Sequence, residues 1–421
     1  MNKDNVTNVT NVVNEEGKVT KEVVIVDSCC GTGKTSWAIQ KMNENKDDKF
    51  IYITPFLDEV DRVVEECSDR YFYQPDIRFG KGSKREHFKK LLRQRSNIAS
   101  THSLFQQIDK ETIDLIKENK YTLILDEVMD VVVTLDATKH DREDLIKYTT
   151  TDEKGRLRWT VEGYNGKFNS YYDAITNGEV YKHRDKFLMW TFPSYVFDKF
   201  KEVYIMTYMF DGQTQRYYYD LNNIKYTYKS VGMVNGRYEL IEYCDIDKGI
   251  YRDLLKICDN EKLNRIGKKI DRFEPLSKGW FEKNEKGDQL DVLKRNFYNF
   301  FKNVTKTKAS ENGWSVFKDY QKQCKGDGYA KGFLAFNIRS TNQYRSKTAF
   351  AYGINLFMKP TTKSFFTDRG VEVSEDKWAL SELIQFMFRG CIRDKKEMHI
   401  YIPSQRMRDL LCDWLEIPHI K

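Results

Sequence analysis

The sequence predicts an α/β protein of two tandem domains, each a largely parallel sheet flanked by helices, with insertions. Short apolar runs alternate with helix-like stretches from Glu22 to about Leu221, the order expected of strand–helix–strand units. Apolar runs and one long amphipathic stretch return after about Tyr226. At 421 residues the chain is also longer than one ordinary core requires.

Taken in order, residues 1–20 ("MNKDNVTNVTNVVNEEGKVT") are repetitive and polar and read as a disordered tail, without the apolar core of a signal peptide. "EVVIVDS" reads as a strand buried on both faces, because consecutive branched apolar residues suit a covered parallel sheet. "TSWAIQKMNEN" is the helix after it. "KFIYITPF" is a strand ending at Thr54-Pro55, and "LDEVDRVVEECSD" returns as a helix. "SNIASTHSLFQQI" gives a short strand, and "YTLILDEVMDVV" and "KEVYIMTYMF" two more. About 134–187 is rich in Tyr, Gly, Lys and Asp with little periodicity and reads as an insertion. The first domain is thus placed at 21–225 and the second at 226–421.

In the second domain "YELIEYCD" reads as a strand and about 260–312 as an insertion. Leu290, Leu293, Phe297, Phe300 and Phe301 fall near i, i+3, i+4 spacing and predict an amphipathic helix. "GWSVFKDY", "GFLAFNI" and "TAFAYGINLF" read as strands, about Lys377 to Arg393 as a helix, and "EMHIYIPS" as a last strand.

Composition removes several classes. No run approaches the roughly 18–20 apolar residues of a membrane helix, so no membrane partner is expected. The eight cysteines show no CxxC and no metal-ligand rhythm; they read as free thiols of a reducing, cytoplasmic setting, against structural zinc. The net charge of +7, from 70 basic and 63 acidic residues, permits a nucleic-acid partner without requiring one.

Three stations carry chemistry. In "VVIVDSCCGTGKTSWA", Ser28 to Thr35 matches G-x-x-x-x-G-K-[ST] except that Ser28 replaces the first glycine. Such a loop turns backbone N–H groups inward and adds the positive end of the next helix. Ser28, Cys29, Cys30, Gly31, Thr32 and Gly33 would form the cradle, with Ser36 just inside the helix. Lys34 would reach the β- and γ-phosphates, and the Thr35 hydroxyl would bind Mg²⁺. The plain alternative is a tight turn with an incidental lysine; the strand before and helix after favour the cradle. Cys29 and Cys30 read as small loop residues.

Asp126-Glu127 closes the apolar run "LILDE", where a parallel sheet presents its ligand-binding edge. Asp126 would hold Mg²⁺ and Glu127 would act as general base toward water. Alone, such a pair more often opens a solvated loop; behind a phosphate loop it gains a role. Third, "SELIQFMFRGCIR" sets Ser381, Gln385, Arg389 and Arg393 four residues apart, one helical stripe between apolar flanks. A stripe of surface ion pairs is the alternative, but the flanks are too apolar for a freely exposed helix. An arginine there would stabilise charge on a transferred phosphoryl group.

These stations, in this order, resemble the superfamily 2 helicases: two RecA-like domains with ATP in the cleft between them. "SCCGTGKTS" resembles motif I, "IYITPF" motif Ia, "LILDEVMD" motif II, "YIMTYMFDGQ" motif III, "FNIRSTNQYR" motif V and "QFMFRGCIR" motif VI. "IASTHSLF" resembles a further nucleic-acid-contacting motif. "TYMFDGQ" and "ALSELIQFMFRGCIRD" look most like helicase-like proteins of bacteriophages of low-GC Gram-positive bacteria.

Motif II reads Asp-Glu-Val-Met rather than DEAD or DEAH. Arg389 and Arg393 are four apart where the common pattern has three, so either could meet the γ-phosphate. The resemblance implies that Thr54, Pro55, Thr101, His102, Thr341 and Asn342 line a groove for a nucleic-acid backbone, and that Thr207 couples the sites. The basic stretch Phe79 to Arg95 reads first as a solvated helix face, with phosphate contact as the alternative. Trp159, Tyr164, Tyr171 and Tyr172 read first as packing of the insertion, with base stacking second. The implied function is an ATP- and Mg²⁺-dependent helicase or translocase, on DNA in preference to RNA, in phage replication or recombination in the host cytoplasm. Replication or recombination proteins are the further partners implied. An RNA helicase, or an ATP-switched binding or loading protein that does not unwind, are the rivals.

Overall fold

The computed structural model describes residues 22–269, 274–337 and 343–420, together with two short strands, Val12–Val13 and Val19–Thr20, that pair antiparallel. Those strands fall inside the stretch read as a tail; β-branched Val and Thr suit such a pairing. The chain packs into two compact units. The first is Met1–Asp27, Gly33–Tyr243 and Lys359–Val373; the second is Ser28–Thr32, Cys244–Met358 and Ser374–Lys421.

The first unit is built on β1 (Val23–Asp27), α1 (Lys34–Glu44), β2 (Phe50–Thr54), α2 (Leu57–Glu66), β3 (Phe72–Tyr73), α3 (Lys84–Arg93), β4 (Asn97–Thr101), α4 (His102–Phe105), α5 (Lys110–Glu118) and β5 (Thr122–Asp126). After the insertion come β11 (Glu202–Thr207), α8 (Thr214–Leu221), β12 (Tyr226–Val234) and β13 (Arg237–Glu242). The sheet has eight strands in the order β13-β12-β1-β11-β5-β2-β4-β3. All neighbours are parallel except the β12–β13 hairpin at one edge. Every residue of β2 and β5 is buried, as strands covered on both faces must be.

One boundary read from the sequence moves, and the insertion is more regular than its pattern suggests. The expected break at 225/226 falls inside this sheet, because Tyr226–Lys229 pairs in parallel with Val23–Val26; the first unit runs on to Tyr243. The insertion is itself ordered, with β6 (Val132–Thr134), α6 (Lys139–Ile146), β7 (Thr149–Thr151), β8 (Leu157–Trp159), α7 (Tyr172–Thr176), β9 (Val180–His183) and β10 (Phe187–Thr191). An antiparallel sheet β9-β10-β6 and the hairpin β7–β8 enclose Leu145, Leu157, Phe168, Ile175, Val180 and Leu188. Trp159 stacks on Tyr164 with centroids 4.6 Å apart and on Tyr172 at 5.6 Å, and Tyr171 packs against the same core. The aromatic rings of the insertion hold it together.

The second unit contains α9 (Gly249–Leu254), β14 (Leu255–Ile257), α10 (Glu261–Asn264), α11 (Lys278–Lys283), α12 (Gln289–Asn299), β15 (Asn312–Ser315), α13 (Gln321–Cys324) and β16 (Ala349–Tyr352). After the first-unit helix α14 (Pro360–Thr367) it continues with α15 (Glu375–Met387), β17 (Met398–Tyr401) and α16 (Gln405–Leu415). Its four-stranded sheet, β14-β17-β16-β15, is parallel throughout. α12 buries Leu290, Leu293 and Phe297, as the apolar spacing predicts, and Phe300 and Phe301 extend that face into a π-turn.

Three expectations change here. "GFLAFNI" forms no strand among its described residues; Phe333 makes a single bridge to Trp314. α14 joins the first unit: His183 Nε2 lies 2.8 Å from Ser364 Oγ, and Arg184 pairs with Asp368 at 2.6 Å. α15 starts under a Ser374 cap with Glu375 and Asp376 in its first turn, which suits the helix dipole, but it stops at Met387. Arg389 lies two residues past that end, Gly390 follows where a Cβ would meet Phe350 and Met398 within 3 Å, and Arg393 falls in the next turn, Cys391–Asp394, so the helical stripe ends at Gln385.

Candidate active site

The loop after β1 has the backbone a phosphate cradle needs. Gly31 and Gly33 stand at φ 89° and 99°, a region that costs other residues energy. The Thr32 hydroxyl donates to the Cys29 carbonyl at 2.8 Å, closing the turn within the second unit's share of the loop. Gly33 caps α1 without a side-chain bond, and the first turn of α1 carries no acidic residue. No side chain caps that helix start and no acid offsets its positive dipole end, the polarity that favours an anion there. Lys34 is buried at this end, and Thr35 and Ser36 are half-buried. Cys29 is buried, Cys30 half-buried, and all eight cysteines are free thiols. The Tyr251 hydroxyl bonds the Cys29 side chain and is held above its ordinary range, mainly by burial.

β1, β11 and β5 are neighbours, and in register Thr207 faces Asp27 and Met206 faces Asp126. The loop, Thr207 and the Asp126-Glu127 pair therefore leave the sheet at one level of one edge. Asp126 Oδ2 accepts the Tyr52 hydroxyl at 2.9 Å, and the Asp126 carbonyl lies 3.0 Å from His102 Nε2. Burial, then the neighbouring Glu127 carboxylate, pushes the Asp126 carboxyl up to about 7; Tyr52 and Lys34 pull the other way. Glu127 is buried at φ 63°, its N–H bonded to Met206 O at 2.8 Å and its Oε2 3.5 Å from Thr207 Oγ1.

These residues fit Mg²⁺. A buried carboxylate short of positive charge and a hydroxyl at a helix start are hard oxygen donors. Among the described residues no group of three or more His, Cys, Asp or Glu could hold a metal.

In the second unit Gln385 and Arg389 are 3% and 4% exposed. Neither Gln385 amide atom, nor Nε and Nη2 of Arg389, has a hydrogen-bond partner among the described residues. Ser381, by contrast, donates to the Trp378 carbonyl at 2.8 Å. Arg393 lies along the loop: a Cβ on Gly31 would be 3.1 Å from its Cγ and 3.3 Å from its carbonyl oxygen.

Among the expected nucleic-acid residues, Thr54 is wholly buried with its hydroxyl unpartnered, Pro55 and Thr101 are half-buried, and His102 is tied to β5 as above. Thr341 and Asn342 lie outside the described residues. Two residues that matter were not read from the sequence. Asp27 receives the N–H groups of Met209 and Phe210, both at 2.9 Å, and so fastens the loop's root to the turn after Thr207. Its signal was a lone acid closing "VVIVD". Tyr52 sits in "FIYIT", where nothing separates it from a core aromatic.

Residues 250–415 match the family model described as the YonV C-terminal Rossmann-like domain. Over 412 residues the chain is 39% identical to the "SPbeta prophage-derived uncharacterized protein YonV" of Bacillus subtilis (strain 168), covering 94% of this chain and 99% of that protein. The chain belongs to the YonV family. Among solved structures it overlaps S. tokodaii Xpd4 with a TM-score of 0.42 at 11% identity, over 94% of each chain. It overlaps the DUF1998 helicase MrfA, bound to DNA and AMPPNP, with a TM-score of 0.35 at 9% identity, over 95% of this chain and 49% of that one. At these scores neither likeness decides fold or chemistry. The YonV model spans the second unit's sheet from β14 to β17; the loop and Asp126 precede it. Among the described residues no helix is long and apolar enough to cross a membrane.

Proposed function

We propose that the protein is an ATP-dependent nucleic-acid translocase or helicase acting on DNA. The observation that carries this reading is the shared edge of β1, β11 and β5, where the glycine loop, Thr207 and Asp126-Glu127 emerge together. In this reading the loop N–H groups and Lys34 bind the phosphates, and Thr35 with Asp126 holds Mg²⁺. The ion, when bound, supplies charge that polarises the phosphoanhydride. Glu127 orients a water and takes its proton. Thr207, within 3.5 Å of Glu127, is placed to couple that carboxylate to β11. Arg389 and Gln385 are assigned to the γ-phosphate, because a buried guanidinium with Nε and Nη2 unpartnered calls for an anion. The prophage origin of the YonV relative supports phage DNA replication or recombination as the setting.

Steady-state ATP hydrolysis with single-stranded DNA, duplex DNA or RNA, with Lys34→Ala as control, tests the proposal. Lys34-dependent hydrolysis stimulated by DNA supports it, and stimulation by RNA alone makes the enzyme an RNA helicase. Hydrolysis without strand displacement or translocation makes it an ATP-switched clamp. No Lys34-dependent hydrolysis under any condition sinks it.

A further inference from the structure

The basic excess of the chain is concentrated in one place. Between Tyr71 and Arg95 there are eight Lys or Arg and two acidic residues, a net of +6 against +7 for the whole chain. Three of the eight are used internally. Lys89 is buried among Glu86, Asp109 and Glu111, Arg93 pairs with Glu111, and Arg78 pairs with Asp76 at 2.6 Å. Lys81, Lys84, Arg85, Lys90 and Arg95 are exposed and make no ion pair among the described residues.

Large apolar side chains stand exposed in the same stretch, where a protein surface ordinarily scatters them. Tyr71 is 84% exposed, Phe79 58%, Ile77 54% and Tyr73 48%. Tyr71 and Tyr73 flank the buried Phe72 of β3, the edge strand of the eight-stranded sheet, so strand alternation sends both to the face opposite Phe72. Phe79 lies on the turn before α3, with the Arg78 guanidinium 5.6 Å from its ring centroid. Lys81 and Gly82 follow in left-handed backbone, and Ser83 then caps α3, whose first turn begins with Lys84 and Arg85.

We infer that Tyr71–Arg85 is a single-stranded nucleic-acid contact surface, on which Tyr71, Tyr73 and Phe79 stack bases while Lys81, Lys84 and Arg85 hold phosphates. Aromatic faces beside unpaired cations accept any base and favour a flexible strand over a stacked duplex. The assignment rests on the nucleic-acid reading above and gives it a place separate from the nucleotide loop.

The test is binding without nucleotide, by anisotropy of a fluorescein-labelled oligothymidylate, an oligouridylate of equal length and the matching duplex. Two variants are compared with the full-length protein: Tyr71→Ala/Tyr73→Ala/Phe79→Ala, and Lys81→Gln/Lys84→Gln/Arg85→Gln. Their exposed positions leave the fold unstrained, which thermal unfolding checks. The aromatic variant is expected to bind single strands at least about fivefold more weakly for each stacking ring lost. The charge variant is expected to flatten the dependence of log K on log salt by about 0.7 for each phosphate contact removed. The two oligonucleotides show whether DNA or RNA is preferred. Wild-type single-strand affinity and salt dependence in both variants overturn the surface. Unchanged affinity with altered sedimentation also overturns it, and makes the patch a contact between protein copies. Either result leaves the nucleotide reading to stand on Lys34-dependent hydrolysis.

Discussion

Gly33 and the Tyr238 ring compete for one space: a Cβ on the glycine would sit 2.2 Å from Cε1 of the tyrosine. Tyr238 has little freedom to retreat, since Gln40 of α1 bonds both its N–H and its carbonyl, each at 3.2 Å. Gly33→Ala is therefore expected to displace the loop, on top of about 1–3 kcal/mol of left-handed strain. Gly82, at φ 84° with open space around it, isolates the strain alone. Titration calorimetry with ATP should show at least about a tenfold loss for Gly33→Ala, on the order of 1.4 kcal/mol, and none for Gly82→Ala.

Binding and hydrolysis should separate at the loop and the carboxylate. Lys34→Ala is expected to lose both. Glu127→Gln keeps the size and the 2.8 Å backbone bond to Met206 but removes the base. It should bind ATP normally and hydrolyse it about 10²–10⁴-fold more slowly. Single-turnover measurements beside equilibrium binding check this.

Arg389 offers a test in which stability and activity move in opposite directions. A buried guanidinium with two unpartnered nitrogens destabilises the nucleotide-free protein. Arg389→Met fills similar volume without that charge. It is expected to hold or raise the unfolding temperature while lowering hydrolysis by about 10³-fold or more. A large loss of stability would instead give Arg389 a purely structural role.

Glu179 in the insertion predicts a pH effect. Burial pushes its carboxyl up to about 7, against the opposing bonds from Asn177 and Trp190. A raised carboxyl favours the folded state while protonated. That stability is fully present below the unfolded value near 4 and is lost as pH rises through about 7. Glu179→Gln should therefore melt like wild type near pH 4, and hotter than wild type at pH 8. Thermal unfolding across that range decides it.

The first sheet was legible because its strands are continuous apolar runs and its site motifs fall at their ends. "VVIVD", "FIYIT" and "TLILD" each carry their chemistry at the last residue or just beyond. The β12–β13 hairpin was misplaced because its pairing with β1 joins residues some 200 positions apart, and no local pattern records that. The four-residue spacing places Arg389 and Arg393 on α15 because it continues through "RGCIR", yet the helix stops at Met387, and Gly390 lies too close to Phe350 and Met398 for any side chain. Tyr52 was invisible for a similar reason, its hydroxyl acquiring a role only when β5 brings Asp126 alongside.

The return of α14 to the first unit sets an order of assembly. When Tyr243 leaves the ribosome the first sheet is complete, yet Thr134 and His183 still await Thr361 and Ser364. Those partners arrive only after some 120 further residues, about 6–24 s at ordinary rates of synthesis. Through that interval the face that α14 covers stands open to water and to chaperones. The same topology means that the YonV-matched segment, 250–415, carries a helix that belongs to the other unit. Expressed alone, each half would be missing a part that the other half holds.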